Sequence, residues 1–229
     1  GEVLELSRPP HVMECFDISN ISSNHIVASM VRFRDGLPDT ANYRRYRIRT
    51  VKGQNDFASM AEVVRRRYSR ILLDGRKCFG SEADITQEDP VEAMRRLEKK
   101  LASSPDVPAA ASFVRLPDLV IVDGGKGQLS SACEELQRLG LHELPIIGLA
   151  KEREEIYRPG NPDPLVLPHT MGALRLLQRI RDEAHRWANG YHQLLMKRRV
   201  EESILDDIPG VSESRKLALL KCFGSVARV

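Results

Sequence analysis

The run Leu119-Val120-Ile121-Val122, followed by Asp123-Gly124-Gly125, constrains the fold more than any other stretch of the chain. Consecutive apolar residues without alternation suit a strand covered on both faces. The two glycines break that strand, and a helix is predicted from about Gly127 to Leu139, ended by Gly140. Pro145 to Leu149 reads as a further short buried strand. Strand, glycine turn, helix and strand in that order predict a right-handed parallel crossover. Open α/β sheets usually place ligand sites at the C-terminal ends of such strands, which is where Asp123 stands.

The chain before this unit has a different rhythm. Val12 to Ser19, Ile26 to Phe33 and Tyr43 to Thr50 carry strand character, and Arg34-Asp35-Gly36-Leu37-Pro38 is turn-rich. Three early strands are expected, the last two forming a hairpin. Asp56 is expected to cap a helix over about Phe57 to Leu72, with Met60, Val63, Val64 and Ile71 inward and an arginine run on the other face. Residues 73–115 read as an insertion interrupted by glycine and proline, with an amphipathic helix at about 90–102 inside it. Tyr157 to Pro168, with its four prolines, reads as a loop or hairpin before the longest helix, about Met171 to Arg199. The whole is an α/β fold, a mixed sheet flanked by helices.

At 229 residues the chain has room for one large core, or for one domain and a small appendage. No run of about 18 apolar residues suggests a membrane span, and the opening GEVLELSRPP has no charged leader before an apolar stretch, so the cytoplasm is the expected compartment. Cys15, Cys78, Cys133 and Cys222 are scattered without a CxxC pair, which argues against a zinc site or a disulfide framework. A net charge of +3 is too small to identify a nucleic-acid binder. The basic residues nonetheless cluster, at Arg44-Arg45, Arg65-Arg66-Arg67 and Lys197-Arg198-Arg199, and such clusters track phosphates or form solvated faces.

Three distant segments each carry a hard metal ligand: CFDIS at Asp17, IVDGG at Asp123 and IRDEAHR at Asp182 and His185. Carboxylates from separate elements suit Mg²⁺ or Mn²⁺ held partly by protein and partly by a substrate phosphate, as in metal-dependent phosphoryl transfer. An aspartate in a strand with two apolar faces is costly unless paired, hydrogen-bonded or on a metal. The plainer readings are a strand-end aspartate starting the Ser19-Asn20 turn and, for Asp123, a helix cap. On the long helix a buried stripe is expected at Ala173, Leu177, Ile180, Ala184, Trp187 and Tyr191. At about 100° per residue, Asp182 lies almost opposite this stripe, facing solvent, Arg186 or substrate. His185 lies on the flank and is the better third site residue. GGKG lacks the spacing and hydroxyl of a P-loop, so a nucleotide-dependent transferase is disfavoured; the glycines are expected to let the backbone turn close to substrate, with Lys126 near a phosphate.

The segments ECFDIS, NYRRYRI, NDFASM, LPDLVIVDGGKGQL, IGLAKEREE, LLQRIRDEAHRWA and LDDIPGV together resemble the C-terminal half of UvrC, the nuclease subunit of bacterial nucleotide excision repair. The resemblance covers nearly the whole chain, and DGGKGQL followed by IRDEAHR is its most specific part. It implies an RNase H-like endonuclease domain over 1–200, making the incision 5′ to a lesion with Asp17, Asp123 and His185 around Mg²⁺ or Mn²⁺. It also implies that the chain is a fragment, without the family's N-terminal nuclease and UvrB-binding segment. The partners implied are damaged double-stranded DNA and a UvrB–DNA complex. Ile208-Pro209-Gly210-Val211-Ser212 resembles a helix-hairpin-helix turn, with serine where a second glycine is common, and helices over about Ser203 to Leu205 and Ser214 to Cys222 are expected to frame it within 201–229. Lys126, Arg65, Arg66, Gly210, Ser212 and Lys216 are the expected contacts to the DNA backbone. The competing expectation is an RNase H-like module that serves only as a docking platform.

Overall fold

The computed structural model describes residues 2–22, 25–51, 53–79, 115–151, 153–206, 208 and 212–223. The predicted helix near 90–102 lies outside these residues, as does most of the insertion. The chain divides into two compact units, Gly1–Ala188 and Asn189–Val229.

The first unit contains strands β1 (Val12–Ser22), β2 (His25–Arg34), β3 (Leu37–Pro38), β4 (Arg44–Arg47), β5 (Leu119–Asp123), β6 (Ile146–Ala150), β7 (Glu155–Tyr157) and β8 (Leu165–Val166). Its helices are α1 (Asp56–Phe79), α2 (Lys126–Arg138) and the first part of α3, which runs from Gly172 to Asp206. The strands form one mixed sheet in the order β3-β2-β1-β5-β6-β7-β8, with β4 also on β2. β1, β5 and β6 run parallel in the centre, and the other pairs are antiparallel. The expected strand-helix-strand unit is therefore present as β5-α2-β6.

The expected antiparallel pairing of the second and third early strands is present, but it is not the tightest hairpin. β1 and β2 form the close hairpin, with Val12 opposite Arg34 and Asp17 opposite Ser29. β4 also pairs with β2, Val27 opposite Arg47, but only after the short β3 and a 3₁₀ turn. The turn-rich 34–38 segment thus starts an edge excursion rather than a simple two-strand hairpin. Asn55, not Asp56, caps α1: its side-chain oxygen accepts the Ala58 N–H at 3.0 Å, which leaves Asp56 inside the first turn.

Strand parity divides the core into two layers. Phe16, Met30, Val120 and Val122 meet Met60, Val63, Val64 and Ile71 of α1 and Leu129, Ala132 and Leu136 of α2. On the other face Met13, Cys15, Phe33, Leu119, Ile121 and Leu149 meet Leu174, Leu177, Ile180 and Ala184 of α3. The buried stripe of α3 starts at Leu174 rather than Ala173, which is exposed. The larger side chain gains more by burial, so the helix turns to favour it. Trp187 is partly buried against this layer, and the side chain of Tyr191 lies outside the described residues.

The arginine run of α1 is not one solvated face. Arg67 is buried and donates to both carboxylate oxygens of Glu14, Arg66 binds Glu62 and the Arg47 carbonyl, and Arg65 is exposed. In the second unit, 203–205 is the end of α3 rather than a separate helix, and α4 spans Glu213–Phe223. Gly210 and the centre of the expected hairpin lie outside the described residues. Cys15, Cys133 and Cys222 are free thiols. Among the described residues no helix is long and apolar enough to cross a membrane.

Candidate metal centre

Parity also places the acids. Cys15 of β1 and Ile121 of β5 are register partners, as are Phe16 and Val122. Asp17 and Asp123 are the next residues on these adjoining strands, and both continue the face that packs on α3. A helix from that face crosses above them. Ser29, opposite Asp17, donates from its hydroxyl to the Ala184 carbonyl at 2.8 Å, so the sheet holds α3 one residue before His185. Two turns of strand geometry and one hydrogen bond thus bring three remote residues to one place.

Asp17, Asp123 and His185 each offer a ligand atom, and these atoms lie within 4.8 Å of one another. His185 Nδ1 is 3.4 Å from Asp17 Oδ2. Asp17 is only 5% exposed, and its Oδ2 is buried with no hydrogen-bond partner among the described residues. His185 keeps 48% of its side chain exposed, so the centre opens to solvent on the helix side. Burial, followed by the neighbouring negative charge of Asp123, pushes the Asp17 carboxyl up to about 7. Asp123 is also raised, mainly by burial, against the opposing charges of Arg181, Lys151 and His185. Two acids kept close, desolvated and incompletely hydrogen-bonded favour a bound cation, because a cation removes the repulsion and supplies the missing partner. The donor set, two carboxylates and an imidazole, fits a hard or borderline divalent ion.

The other predicted residues do not join this cluster. Asp182 has a side chain 65% exposed and accepts from Arg181 rather than from Arg186. Arg186 instead binds Glu183, one turn earlier on its own side of the helix. Lys126 starts α2, is exposed, and lies 5.4 Å from the centroid of the Tyr157 ring. Of the glycines ahead of it, a Cβ at Gly124 would meet the Gln128 side chain and one at Gly125 would meet nothing within 4 Å. Neither Gly124 nor Gly125 has positive φ. A Cβ at Gly148 would lie 2.9 Å from the Gly124 carbonyl oxygen, and one at Gly127 would lie 2.5 Å from Cε1 of Phe57. Glycine therefore lets the β5–α2 turn rest on β6, and lets the ring of Phe57, itself 55% exposed, cover the start of α2. Ser212 is exposed, with its hydroxyl 3.0 Å from that of Ser214. The side chain of Lys216 is not among those described.

Sequence reasoning passed over Lys151, Arg181, Ser29 and the charge of Asp56, which also acts on Asp17. Lys151 lies two residues beyond Leu149, a residue already expected in a buried strand next to β5. That spacing was the available signal.

A mixed sheet with carboxylates side by side on two adjoining central strands, and a helix-borne histidine over them, defines the RNase H-like class of α/β fold. Within that class, the family profile of the UvrC RNase H endonuclease domain matches residues 1–188, and the chain belongs to this family. It is 46% identical over 226 residues to the UvrABC system protein C of Dehalococcoides mccartyi, covering 99% of this chain and 32% of that protein. It is 43% identical over 230 residues to the protein of the same name from Thermobifida fusca, covering 100% and 33%. The chain thus spans about a third of the length of the curated relatives it matches. Among solved structures it is similar to Ciona intestinalis endonuclease V in complex with inosine-containing DNA, with 11% identity, a TM-score of 0.38, and coverage of 83% of this chain and 88% of that one. Human ENDOV aligns at 17% identity with a TM-score of 0.28, covering 62% and 46%.

Proposed function

We propose that this chain is a divalent-metal-dependent endodeoxyribonuclease domain that makes the 5′ incision beside a lesion in bacterial nucleotide excision repair. The observation that carries the reading is the buried, unpartnered Oδ2 of Asp17, within reach of Asp123 and His185. Asp17 is the central ligand for Mg²⁺ or Mn²⁺, Asp123 shares the ion or ions, and His185 completes the set. A cation bound there supplies the Lewis acidity that phosphodiester hydrolysis requires. Replacing one carboxylate by imidazole lowers the negative charge of the site and favours Mn²⁺ over Mg²⁺.

The chain's own residues supply position and exclusion. The adjoining strands β1 and β5 hold the carboxylates rigidly, and the α3 layer keeps the inner side of the centre dry. The half-exposed His185 marks the side from which DNA enters. Lys126, Arg65 and Arg66 contact the phosphate backbone from the first unit, and Gly210, Ser212 and Lys216 from a helix-hairpin-helix portion at 201–229, with 1–200 as the catalytic domain. Such contacts give affinity that falls with salt and depends little on sequence. The partners are damaged double-stranded DNA and, in the longer protein, a UvrB–DNA complex in the cytoplasm.

Nicking of supercoiled plasmid by the chain with Mn²⁺, beside folded Asp17→Asn and Asp123→Asn variants, tests the reading. Nicking that both substitutions abolish supports it. Nicking that survives both, or none by the parent, leaves the chain a docking module.

A further inference from the structure

On three adjoining strands, β1, β5 and β6, a polar residue stands two positions beyond an apolar residue of the α3-facing layer, within β1, at the end of β5 and just after β6. Cys15 is followed by Asp17, Ile121 by Asp123, and Leu149 by Lys151. The register is continuous across them: Cys15 pairs with Ile121, and Asp123 pairs with Leu149. Lys151 is therefore the cation that the sheet itself presents beside the two acids, and its positive charge is felt at both Asp17 and Asp123.

The other cations nearby are occupied. Arg181 is 5% exposed and donates to Glu154 at 2.6 Å and to Asp182 at 3.0 Å. His185 faces Asp17. Lys151 is exposed and makes no ion pair among the described residues.

The loop that carries it is held in place. Ala150 pairs with Glu155 across the β6–β7 hairpin, and Glu154 adopts φ 55°, a left-handed conformation unusual for a residue with a side chain. Such a conformation persists only where the surroundings enforce it, and here the enforcing contact is the buried fork of Arg181. Arg181 and His185 are four residues apart, so they project from one side of α3 on successive turns. One turn of the helix thus orders the Asp17 side of the centre, and the preceding turn orders the loop of Lys151.

We propose that Lys151 is a further catalytic residue of this centre: its ammonium binds a non-bridging oxygen of the scissile phosphate, with Arg181 and Glu154 as the pair that positions its loop. The inference rests on the nuclease reading above. In the step it serves, the oxygen of water bonds to phosphorus while the bond from phosphorus to the leaving sugar oxygen breaks. The proton lost by water passes to solvent, and the leaving oxygen takes one from solvent. Lys151 gives up no proton; it offsets the charge that builds on the phosphate oxygens, as preorganised donors do elsewhere.

The test uses the full chain, with Lys151→Met and Lys151→Arg compared with the parent. Single-turnover nicking at saturating protein, Mn²⁺ binding by calorimetry and the melting temperature are measured for each. The expected result is a fall of roughly 100–1,000-fold in the nicking rate for Lys151→Met. Mn²⁺ binding is unchanged or tighter, melting is unchanged, and Lys151→Arg recovers most of the rate. Nicking by Lys151→Met within about twofold of a parent that Asp17→Asn inactivates overturns the inference and leaves the nuclease reading standing. A slow Lys151→Met variant that has also lost Mn²⁺ binding or melts lower assigns a structural role and overturns it as well. A parent that cuts no DNA with any divalent ion overturns the nuclease reading, and the inference falls with it.

Discussion

Glu14 and Asp17 lie three residues apart on β1 and project from opposite faces of the sheet, one into each layer, and both are buried. Glu14 is 0% exposed and accepts from the Arg67 guanidinium and from the Tyr68 hydroxyl at 3.1 Å, with the charge of the equally buried Arg32 3.7 Å away. Asp17 has the negative charge of Asp123 beside it and an oxygen with no hydrogen bond among the described residues, 3.4 Å from His185 Nδ1. A carboxylate met by two guanidinium groups is an electrostatic unit that ties α1 to the sheet. A carboxylate that meets a second carboxylate is left with a repulsion that the charge of Lys151 offsets only in part. The comparison teaches that burial alone does not separate structural from functional acids; the sign of the neighbouring charge does.

Glu62 extends the contrast. Burial pushes its carboxyl up, but donors from Thr50, Arg49 and Arg66 outweigh that effect and hold it below the usual range. Glu62 and Asp17 therefore move in opposite directions, each for a visible reason.

The strongest way to break the comparison is through activity. Asp17→Asn or Asp123→Asn is expected to lower Mn²⁺-dependent nicking by at least about a hundredfold, beyond what loss of an outer-shell partner costs, while the metal-free fold survives. A rate within tenfold of the parent for both variants would remove the centre from the chemistry. Next in size is Glu14→Gln, which leaves Arg67 as a buried charge without its counter-ion and Arg32 with Asp39 alone. Urea unfolding should show a loss of about 3–5 kcal/mol, and a loss below ~1 kcal/mol would contradict the structural role. Glu62→Gln should cost less, about 1–3 kcal/mol near pH 7, because neutral donors remain around it. Since the folded-state pKa of Glu62 lies below its unfolded value, that contribution is present above about pH 4.3 and is lost as pH falls through the folded value. The deficit of the variant should shrink accordingly in acid melts.

The smallest effect has the opposite slope. The folded-state value of Asp17, about 7, lies above its unfolded value. Its contribution to the metal-free protein is therefore fully present below about pH 4 and disappears as pH rises through about 7. In melts with chelator, Asp17→Asn should be more stable than the parent at pH 8 by roughly 2–4 °C, the size expected for ~1 kcal/mol in a chain of this length. The difference should vanish near pH 4. Equal melting temperatures at both pH values would show that the two acids do not repel as the geometry requires.

The three residues of the centre were legible because each combines a local pattern with a position. Asp123 ends a run with no polar alternation, Asp17 interrupts a strand apolar on both sides, and His185 flanks a helical stripe. The Glu14–Arg67 pair was illegible for the converse reason. An arginine inside an arginine run reads as solvent-facing, and only the packing of α1 on β1 brings it to Glu14. Arg181 was hidden in the same way, since IRDE reads as surface until the helix meets the β6–β7 hairpin. The start of the α3 stripe shifted from Ala173 to Leu174 because helical periodicity fixes a face only to within about one residue. Lys151 was open to the same reasoning, since it stands two residues beyond Leu149 in the expected parallel crossover, but its place beside Asp123 needed the register of β6 on β5.

The central claim, that Asp17, Asp123 and His185 form a divalent-metal centre, is tested most directly by calorimetric titration of Mn²⁺ into the metal-free chain near pH 7, in two buffers of different ionisation enthalpy. The account predicts saturable binding accompanied by proton release, because Asp17 is partly protonated there, and loss of both in Asp17→Asn. No saturable binding by the parent, or binding undiminished in both Asp17→Asn and Asp123→Asn, would contradict it.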